Sequence, residues 1–576
     1  MGYRHGIYSR EVPTSLNPPT IIDGNSGLVV AFGTAPVHLA TNPAKANTPI
    51  LTYYYNEAVS QLGYSDDYDK YTLCEVMQSQ FVLFGVSPVV FVNVFDPTKH
   101  YTEKTFTAEG IGNTPANLGV EAILGTLKIT SGEDKDPDVL TKDTDYSVAT
   151  ETVVDEIDSD VSTTTTTLQI LSVENVTNDT IIYSYKKSDD TDTAITAARV
   201  VEVGTEIELP SDTVLSTVQV ISGGSEKQTL TADEDYNAAR DSDGAVVVTL
   251  ITDTKVVDDT IAIEYHEADP SKVTMFDIVG GVDTMTGETT GLELIEYIYP
   301  RLGVLPGIII APKYSTNTAV AAVMKAKAKL INETFKATAI VDIDTGDALS
   351  YTQAASVKAT NNLVDTSLFV CYPKVSLGGV QYHLSTQMAA LINQVDTANG
   401  GIPYVSPSNH NLQCDGTVRK DGSEMYMSLP QGNYLNSNGI VTAINHAGGW
   451  RLWGSRTSAY PTNSDVKDNF IPIRRMFNYI SNSLILSFWS KIDNPLNKRL
   501  IENAVTSANI WLDSLTAAGV LLGARVAFLA TENTTADIMD GILRFHLYMT
   551  PPPPAREIEW IQEYDPSYIS GLFGGE

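Results

Sequence analysis

The residues best placed for chemistry are three aspartates, Asp342, Asp344 and Asp347, which end or follow a short apolar run. Catalytic groups of α/β enzymes stand at the carboxyl ends of strands, so a general acid or base could lie here. Helix capping and turn formation explain aspartates at such a place equally well, and we favour these roles. The sequence has no Walker A loop, HExxH helix or GxSxG elbow. We therefore expect a protein that is not an enzyme.

Two further patterns resemble ligand-binding motifs and depart from them. Gly110–Pro115 begins like a dinucleotide loop, but proline stands where the third glycine belongs. The acidic run Glu133–Asp138 resembles the start of a calcium loop, but its sixth position is Val139 instead of glycine. We interpret the run as a solvated loop. The eight histidines include no pair at i, i+4, so neither a metal site nor a cofactor is expected.

The cysteines and one arginine pair complete the candidate chemical groups. Cys74, Cys371 and Cys414 are far apart and form no CxxC motif, so neither a disulfide framework nor a structural zinc is indicated. Arg474-Arg475 could bind an anion, but we favour an ion pair, either at the rim of the core or between subunits.

Length and charge limit the class of protein. A chain of 576 residues predicts two to four domains. Its net charge of −33 argues against nucleic acid as a partner, because phosphate binding needs a basic face. No run of about 18 apolar residues is present, so direct membrane insertion is not expected. The N-terminus has no apolar signal-peptide core, and we expect folding in a cytoplasm.

Most of this charge lies in one segment. Residues 101–270 carry 35 acidic and 10 basic side chains, a net of −25, which leaves −8 for the remaining 406 residues. The segment has no Trp, Met or Cys and a single Phe, and it is rich in Thr, Val and Asp. Such a change of composition indicates a separate, highly solvated domain.

The acidic segment also contains an internal repeat. The matching stretches are Leu140–Tyr146 with Leu230–Tyr236 and Asn178–Tyr185 with Asp258–Tyr265. The second pair alternates apolar and polar residues, and Asp243-Gly244 before a β-branched run predicts a hairpin. We predict two tandem β-sandwich units, at about 118–190 and 195–268.

The flanking sequence alternates between strand-like and helix-like stretches. The predicted strands are Val89–Val94, Ile308–Ile310, Ala339–Ile343 and Leu368–Tyr372. The predicted helices are Cys74–Phe84, Leu292–Tyr299, Thr318–Leu330, Gln353–Asn361 and Leu384–Val395. Strands apolar on both faces that alternate with helices predict a parallel sheet covered on both sides. The acidic insertion interrupts this α/β domain.

An α+β domain and an extended arm are predicted after Arg456. Phe470–Phe477 leads into a helix, Asn497–Leu522 forms a second helical region, and strands are expected near Val526 and at Arg544–Tyr548. Four prolines then isolate a strand on which Ile558, Trp560, Gln562 and Tyr564 alternate with charged residues and Ile561. The N-terminal stretch is extended too, with Tyr3, Ile7, Tyr8 and Val12. A lone strand is unstable in water, so each arm should join its own sheet or a neighbouring subunit's.

Taken together, the flanking regions resemble contractile bacteriophage tail sheath proteins. The stretches that carry the resemblance are Tyr3–Ser15, Gly33–His38, Tyr71–Val76, Phe84–Pro88, Gly448–Thr457, Phe470–Phe477 and Pro552–Tyr564. Their order and spacing, across roughly 400 residues, make the case. The resemblance implies a subtilisin-like fold for the α/β domain, but no Ser/His/Asp triad is recognisable, so proteolysis is not expected.

The resemblance implies five parts of the chain. These are an N-terminal arm at 1–24, a discontinuous α/β sheath domain at 25–100 and 270–455, the acidic outer insertion at 101–269, a C-terminal α+β inner domain at 456–550 and a C-terminal arm at 551–576. It also implies six-fold rings stacked around a tail tube, with strands exchanged through the arms. Baseplate and tail terminator proteins would be further partners, and contraction would drive the tube through the host envelope. We favour Lys498 and Arg499 as tube-facing residues.

Two other classes of protein remain as alternatives. The acidic, Thr-rich β repeats would suit a secreted surface-layer or adhesin-like protein, although the missing signal peptide and the α/β core weigh against it. The α/β core would also suit a hydrolase. The sequence does not distinguish an infectious phage from a phage-derived bacteriocin particle.

Overall fold

The computed structural model describes residues 26–109, 206–222, 228–241, 244–252, 255–256 and 260–570, together with strand segments between 116 and 198. One compact unit runs from residue 96 to 272, and the chain before and after it forms the other. The predicted arm residues Tyr3, Ile7, Tyr8 and Val12 lie outside the described residues. So do Gly110–Pro115 and positions 133–137 of the acidic run.

The first segment supplies three strands and two helices. They are β1 (Val29–Gly33), β2 (Ile50–Thr52), α1 (Tyr55–Leu62), α2 (Thr72–Met77) and β3 (Val89–Asn93). The prediction of a helix over Cys74–Phe84 is correct in position. Its second half, Gln78–Leu83, is a π-helical turn that continues α2.

Among its described residues, the unit of residues 96–272 is built mainly of strands. They are β4 (Tyr101–Glu109), β5 (Ala116–Asn117), β6 (Ala122–Ser131), β7 (Asp138–Val139), β8 (Tyr146–Val154), β9 (Ser162–Ile170), β10 (Thr180–Lys187), β11 (Asp192–Ala198), β12 (Glu206–Leu209), β13 (Gln219–Ser222), β14 (Gln228–Thr229), β15 (Tyr236–Arg240), β16 (Val246–Leu250) and β17 (Thr260–Ala268). They form four sheets, with orders β11-β10-β6-β7, β5-β9-β8, β12-β16-β15 and β14-β13-β17-β4.

Two of these sheets come from residues 116–198, and the other two from residues 206–268 and β4. The predicted hairpin is confirmed, because β15 and β16 pair antiparallel from Tyr236↔Leu250 to Arg240↔Val246. Strand β4 precedes the first group of strands, yet it pairs with β17 along its whole length. The second group is therefore built from two chain segments. Its core is apolar, with Val220, Val246 and Ile263 fully buried.

The chain after this unit alternates helices and strands. The helices are α3 (Met275–Val279), α4 (Ile295–Leu302), α5 (Thr318–Lys329), α6 (Tyr351–Thr360), α7 (Leu384–Ala398), α8 (Leu429–Ser437), α9 (Val466–Asn469), α10 (Ile471–Phe488), α11 (Lys498–Ala517), α12 (Thr535–Met539) and α13 (Ser567–Ser570). The strands are β18 (Gly281–Val282), β19 (Thr289–Thr290), β20 (Ile308–Ile310), β21 (Thr338–Asp342), β22 (Leu368–Cys371), β23 (Lys374–Leu377), β24 (Val380–Tyr382), β25 (Gly416–Val418), β26 (Thr442–Asn445), β27 (Trp450–Trp453), β28 (Gly523–Ala527) and β29 (His546–Thr550).

A six-stranded sheet forms the centre of this unit, in the order β2-β3-β1-β20-β21-β22. All neighbours are parallel except β2, which runs antiparallel along β3 at one edge. Strands β1, β3, β20, β21 and β22 are buried along their whole length. Such strands must be covered on both faces, which accounts for their continuous apolar sequence. The prediction of a mixed α/β protein with a parallel sheet is confirmed.

Side-chain caps fix where several helices begin. The side chain of Asn317 accepts a hydrogen bond from Ala319 N–H at the start of α5, and Ser350 accepts from Gln353 N–H at the start of α6. At the start of α11, Asn497 accepts from Leu500 N–H. Each cap satisfies a donor that the first helical turn would otherwise leave without a partner.

A second core lies in the C-terminal part. Helices α10 and α11 pack against the two-stranded sheet of β28 and β29 through Met476, Ile480, Leu512 and Val526. Trp511 lies at the border of this core and contacts the Tyr479 ring. In the part of the chain that the structure describes, no helix has the length and apolar character needed to cross a membrane.

Candidate intersubunit interface

The C-terminal segment extends away from the sheet of β28 and β29. Pro551 is buried, and Pro552–Glu557 form one wall of a groove of about 820 Å³ whose other wall includes Trp453 and Arg456. From Ala555 to Asp565 the chain has neither helix nor strand and every residue is exposed. The proline run therefore fixes where the segment leaves the domain, because each ring restricts its own φ.

Large apolar side chains lie in solvent along this segment. Trp560 is 84% exposed and Ile561 88%, while Ile558 and Tyr564 are 73% and 77% exposed. Contiguous exposed apolar surface marks a site of association. The predicted arm face of Ile558, Trp560, Gln562 and Tyr564 is thus available to a partner, and its burial in a neighbouring subunit stays a prediction.

The sheet of β28 and β29 has only two strands in the described chain. They pair antiparallel from Gly523↔Thr550 to Ala527↔His546. An isolated two-stranded ribbon is marginally stable, and here packing on α10 and α11 supports it. An edge strand that lacks a neighbour presents free backbone donors and acceptors to any incoming strand.

Asn509 closes one edge of this sheet. Its side-chain oxygen accepts from Val526 N–H at 2.8 Å, and its amide donates to Val526 C=O at 3.0 Å. Both backbone groups of Val526 therefore face away from β29. In an antiparallel ladder the opposite residue, Leu547, then directs its own backbone groups to the outer edge of β29. The edge of β29 is the one left for strand addition.

The predicted tube-facing residues, Lys498 and Arg499, lie exposed on the first turn of α11. The Lys498 ammonium is 3.5 Å from Glu502 one turn later, and both side chains are largely exposed. Cations at a helix N-terminus oppose the helix dipole, so helix stability does not explain these two residues. A tube contact stays a prediction.

Arg475 forms a buried ion pair. Its guanidinium donates to both carboxylate oxygens of Asp396, one of them at 2.9 Å, and also to Ser26 C=O at 3.1 Å. The side chains of Arg475 and Asp396 are 3% and 2% exposed. The neighbouring Arg474 pairs with Asp468 at 3.2 Å. The expectation that Arg474 and Arg475 form ion pairs at the rim of the core or between subunits is confirmed in so far as both pair within the chain, with Arg475 buried more deeply than a rim position. The pair of Arg475 and Asp396 ties α10 to α7.

Polar groups also meet at the carboxyl edge of the parallel sheet. Asp342 is buried and accepts from the N–H and the hydroxyl of Ser385, so it caps the start of α7. Burial raises the pKa of Asp342, opposed by His383 and the bonds from Ser385. His383 Nδ1 lies 2.8 Å from a carboxylate oxygen of Glu75.

This arrangement is not a nucleophilic triad, because Ser385 is fully buried and bonds directly to the aspartate. The expectation of capping and turn roles is confirmed for Asp342 and for Asp344, which accepts from Gly346 N–H at 2.7 Å. The three cysteines are free, and burial raises the pKa of Cys74 to about 12. Among the described residues, no group of three or more His, Cys, Asp or Glu could hold a metal ion.

The chain has homologues among phage tail proteins. It is 32% identical over 323 residues to the tail sheath protein of Burkholderia phage BcepMu, which covers 54% of this chain and 66% of that protein. It is 25% identical over 306 residues to a prophage major tail sheath protein of Pseudomonas aeruginosa strain UCBPP-PA14, covering 51% of this chain and 74% of the relative. The chain thus spans just under two thirds of the length of the Burkholderia phage protein.

A solved structure shows similarity along most of the chain. The crystal structure of the sheath tail protein from Desulfitobacterium hafniense covers 91% of this chain and 93% of its own, at 10% identity and a TM-score of 0.43. The chain matches no protein-family model. The proposed resemblance is confirmed at the level of homology, because these relatives of the chain are named as tail sheath proteins.

Sequence reasoning missed Asn509 and Asp396. Neither carries a local signal, because each acts on a residue that is distant in sequence: Val526 is 17 residues away and Arg475 is 79. Only the adjacent arginines at the start of α10 suggested that acidic partners exist somewhere in the chain.

Proposed function

We propose that this chain is the structural subunit of a contractile tail sheath. It would polymerise as stacked six-fold rings around a tail tube, and the sheath would contract to drive the tube through the host envelope. The homologues that are tail sheath proteins support this proposal. The structural observation that carries it is the exposed apolar segment 555–565, which follows a sheet with one open edge.

The arm and the edge suit each other chemically. Strand addition joins chains through main-chain hydrogen bonds and gains specificity from alternate side chains. Ile558, Trp560 and Tyr564 supply large alternate side chains on one face. The outer edge of β29 supplies the backbone groups, whereas Asn509 occupies the edge of β28 at Val526. We infer that the arm of one subunit adds to β29 of the next, with the N-terminal arm contributing a further strand.

Such a linkage suits a contracting assembly. The proline root at Pro551–Pro554 holds the arm apart from its own domain, so the arm ladder can stay intact while the domains of neighbouring subunits move. The buried pair of Arg475 and Asp396 joins α10 to the α/β part, which favours motion of that unit as a rigid body. Contraction would then release free energy stored when the extended sheath was assembled and held by a kinetic barrier.

The remaining parts complete the proposal. The unit of residues 96–272 would lie on the outside of the sheath, where its negative charge opposes aggregation between particles. Lys498 and Arg499 would face the tail tube. The sheath would be assembled in a bacterial cytoplasm, together with baseplate and tail terminator proteins, and would become part of the virion tail.

The test is assembly of arm variants. Deletion of residues 555–576 keeps the proline root and should leave a folded protein that cannot form tubes. The far-ultraviolet circular dichroism spectrum and the urea midpoint should stay within error of wild type, because the deleted residues that are described lie in solvent. Negative-stain electron microscopy would show tubes for the wild type only.

A matched pair of substitutions separates the arm face from general effects of arm composition. The variant Trp560→Ser/Tyr564→Ser removes two anchors from the predicted buried face, and Glu559→Ser/Glu563→Ser changes two residues of the opposite face. The first should abolish or shorten the tubes, and the second should not. Normal tubes from the deletion variant would refute the role of the arm.

A further inference from the structure

A small cavity lies at the carboxyl edge of the parallel sheet. Its volume is about 60 Å³, and its charged lining consists of Lys313, Lys374 and Lys420 with Asp69, Asp342 and Asp344, beside His383. The cavity has room for a small polar group. Ligands of α/β proteins bind at this edge, where loops from several strands converge.

The three lysines come from three different loops. Lys313 follows β20, Lys374 begins β23 after β22, and Lys420 follows β25. Lys313 has a backbone φ of 68°, and its neighbours close a tight turn in which Tyr314 N–H donates to Pro312 C=O at 2.8 Å. A residue other than glycine seldom adopts this conformation, so the surrounding structure holds Lys313 in place. Its ammonium donates to the backbone oxygen of Asp69 at 2.6 Å.

Nearby carboxylates do not fully compensate the lysines. Lys374 is 3.9 Å from Asp69, and Lys420 is 3.7 Å from Asp344. Formed ion pairs in the same unit are much shorter, as the 2.6 Å contact of Lys327 with Glu293 shows. The ammonium groups of Lys374 and Lys420 therefore keep hydrogen-bond donors that an anion closer than Asp69 or Asp344 could accept from.

The pKa of Lys313 reflects burial and charges of both signs. Burial lowers the pKa of Lys313, and the nearby Lys420 and Lys374 lower it further, while Asp69 and Asp67 act in the opposite direction. Burial raises the pKa of Asp342, whereas the hydrogen bonds that its two oxygens accept from Ser385 act in the opposite direction.

We propose that Lys313, Lys374 and Lys420 form an anion-binding site that takes the oxyanion head of a phosphate or a carboxylate. Two sources share this chemistry. One is a free anion such as inorganic phosphate, and the other is an acidic side chain of a second copy, which a chain of net charge −33 supplies in abundance. The site is independent of the arms, so it does not rest on the proposed sheath function.

Titration of the full-length monomer tests the first source. Inorganic phosphate or acetate is added at constant ionic strength, with chloride as the balancing anion, and the thermal midpoint is followed. Binding to the folded state raises the midpoint as the anion concentration exceeds its Kd. We expect the Lys374→Met/Lys420→Met variant to bind at least tenfold more weakly than wild type. The Lys45→Met variant is the matched control, because Lys45 has a similar 3.6 Å contact with Glu288 and is 80% exposed.

Crosslinking tests the second source. Assemblies grown from an equal mixture of ¹⁴N- and ¹⁵N-labelled chains are treated with a carbodiimide, which couples ammonium groups to carboxylates in contact. Mass spectrometry then identifies mixed-isotope crosslinks, which join different copies. Such crosslinks from Lys374 or Lys420 would assign the ligand to a neighbouring carboxylate, whereas a selective response to phosphate would assign a free anion.

Either result supports the site. The proposal is overturned if wild type and the Lys374→Met/Lys420→Met variant respond alike to both anions and no intercopy crosslink involves these lysines. If the chain does not polymerise, the proposed sheath function fails, and the anion titration alone then tests the lysine site. Tryptophan fluorescence and the urea midpoint confirm that the variants are folded before binding is compared.

Discussion

Replacement of Arg475 by methionine tests whether the buried ion pair holds the C-terminal part to the α/β part. Methionine keeps an unbranched stem and a good helix propensity, so α10 itself should tolerate the change. The substitution removes the guanidinium that bonds both oxygens of Asp396 and the carbonyl of Ser26. It leaves a carboxylate that is 2% exposed, with the Ser26 hydroxyl at 3.1 Å as its remaining side-chain donor.

The expected loss follows from that geometry. Removal of one partner from a buried, hydrogen-bonded pair costs about 3–5 kcal/mol, because the remaining charge is left without compensation. Arg474→Met is the matched control on the adjacent residue. Its side chain and that of its partner Asp468 are 14% and 15% exposed, so water can partly compensate Asp468 and we expect a smaller loss of about 1.5–3 kcal/mol.

Urea unfolding followed by tryptophan fluorescence is the assay. All five tryptophans lie between Trp450 and Trp560, so the signal reports on the unit that contains the ion pair. A double-mutant cycle with Asp396→Asn isolates the interaction. The double variant should lose less stability than the sum of the two single variants, by about 1–3 kcal/mol.

Two results would refute this reasoning. A loss below about 1 kcal/mol for Arg475→Met would mean that water or a rearranged side chain compensates Asp396. Additive single losses within about 0.5 kcal/mol would mean that the two residues do not interact in solution.

Three further predictions concern other parts of the chain. Burial lowers the pKa of Lys358 to about 8, so between that pH and the ordinary lysine pKa the folded state binds fewer protons than the unfolded state. The free energy of unfolding of the wild type, relative to that of Lys358→Met, should therefore rise by about 2 kcal/mol from pH 7.5 to 10. Urea midpoints that change with pH in parallel for the two proteins would contradict this. Charge reversal by Lys498→Glu/Arg499→Glu should leave arm-mediated polymers intact but weaken co-sedimentation with tail tubes, and unchanged co-sedimentation would exclude these residues from the tube contact. Deletion of residues 105–268 should leave tube formation intact and increase lateral aggregation of tubes at low salt, as seen by light scattering; complete loss of assembly would count against an outward-facing unit.

Four of the five parallel strands are predicted from the sequence, because burial on both faces leaves a local signal, whereas β1 at Val29–Gly33 is missed although it is buried along its whole length. Val89–Val94, Ile308–Ile310 and Leu368–Tyr372 are continuous apolar runs, and the structure has strands at all three. Strand β2 could not be found in this way, because Ile50–Thr52 is short, lies at an edge and is only partly buried. The π-helical turn at Gln78–Leu83 has no signal in apolar spacing either.

The pairing of distant segments could not be predicted. Strand β4 has the alternation of many strands, and nothing in Tyr101–Glu109 shows that its neighbour is β17, more than 150 residues later. The cavity lined by the three lysines could not be predicted either, because its residues are distant in sequence. Lys313 follows β20, Lys374 begins β23 and Lys420 follows β25, so the parallel sheet and the separate sheet of β24, β23 and β25 together bring them to one cavity.

The sequence of the C-terminal arm predicts a strand, but the structure of the single chain has none at these residues. The alternation from Ile558 to Tyr564 specifies a strand, but strand geometry is stable only where a neighbour pairs with its backbone. Asn509 occupies one edge of the nearby sheet at Val526, and the root Pro551–Pro554 leads the chain away from the other. The sequence thus provides a donor strand and an acceptor edge that the same subunit does not combine. Trp560 and Ile561 are exposed in the single chain, and we expect another copy to cover them when the chain polymerises.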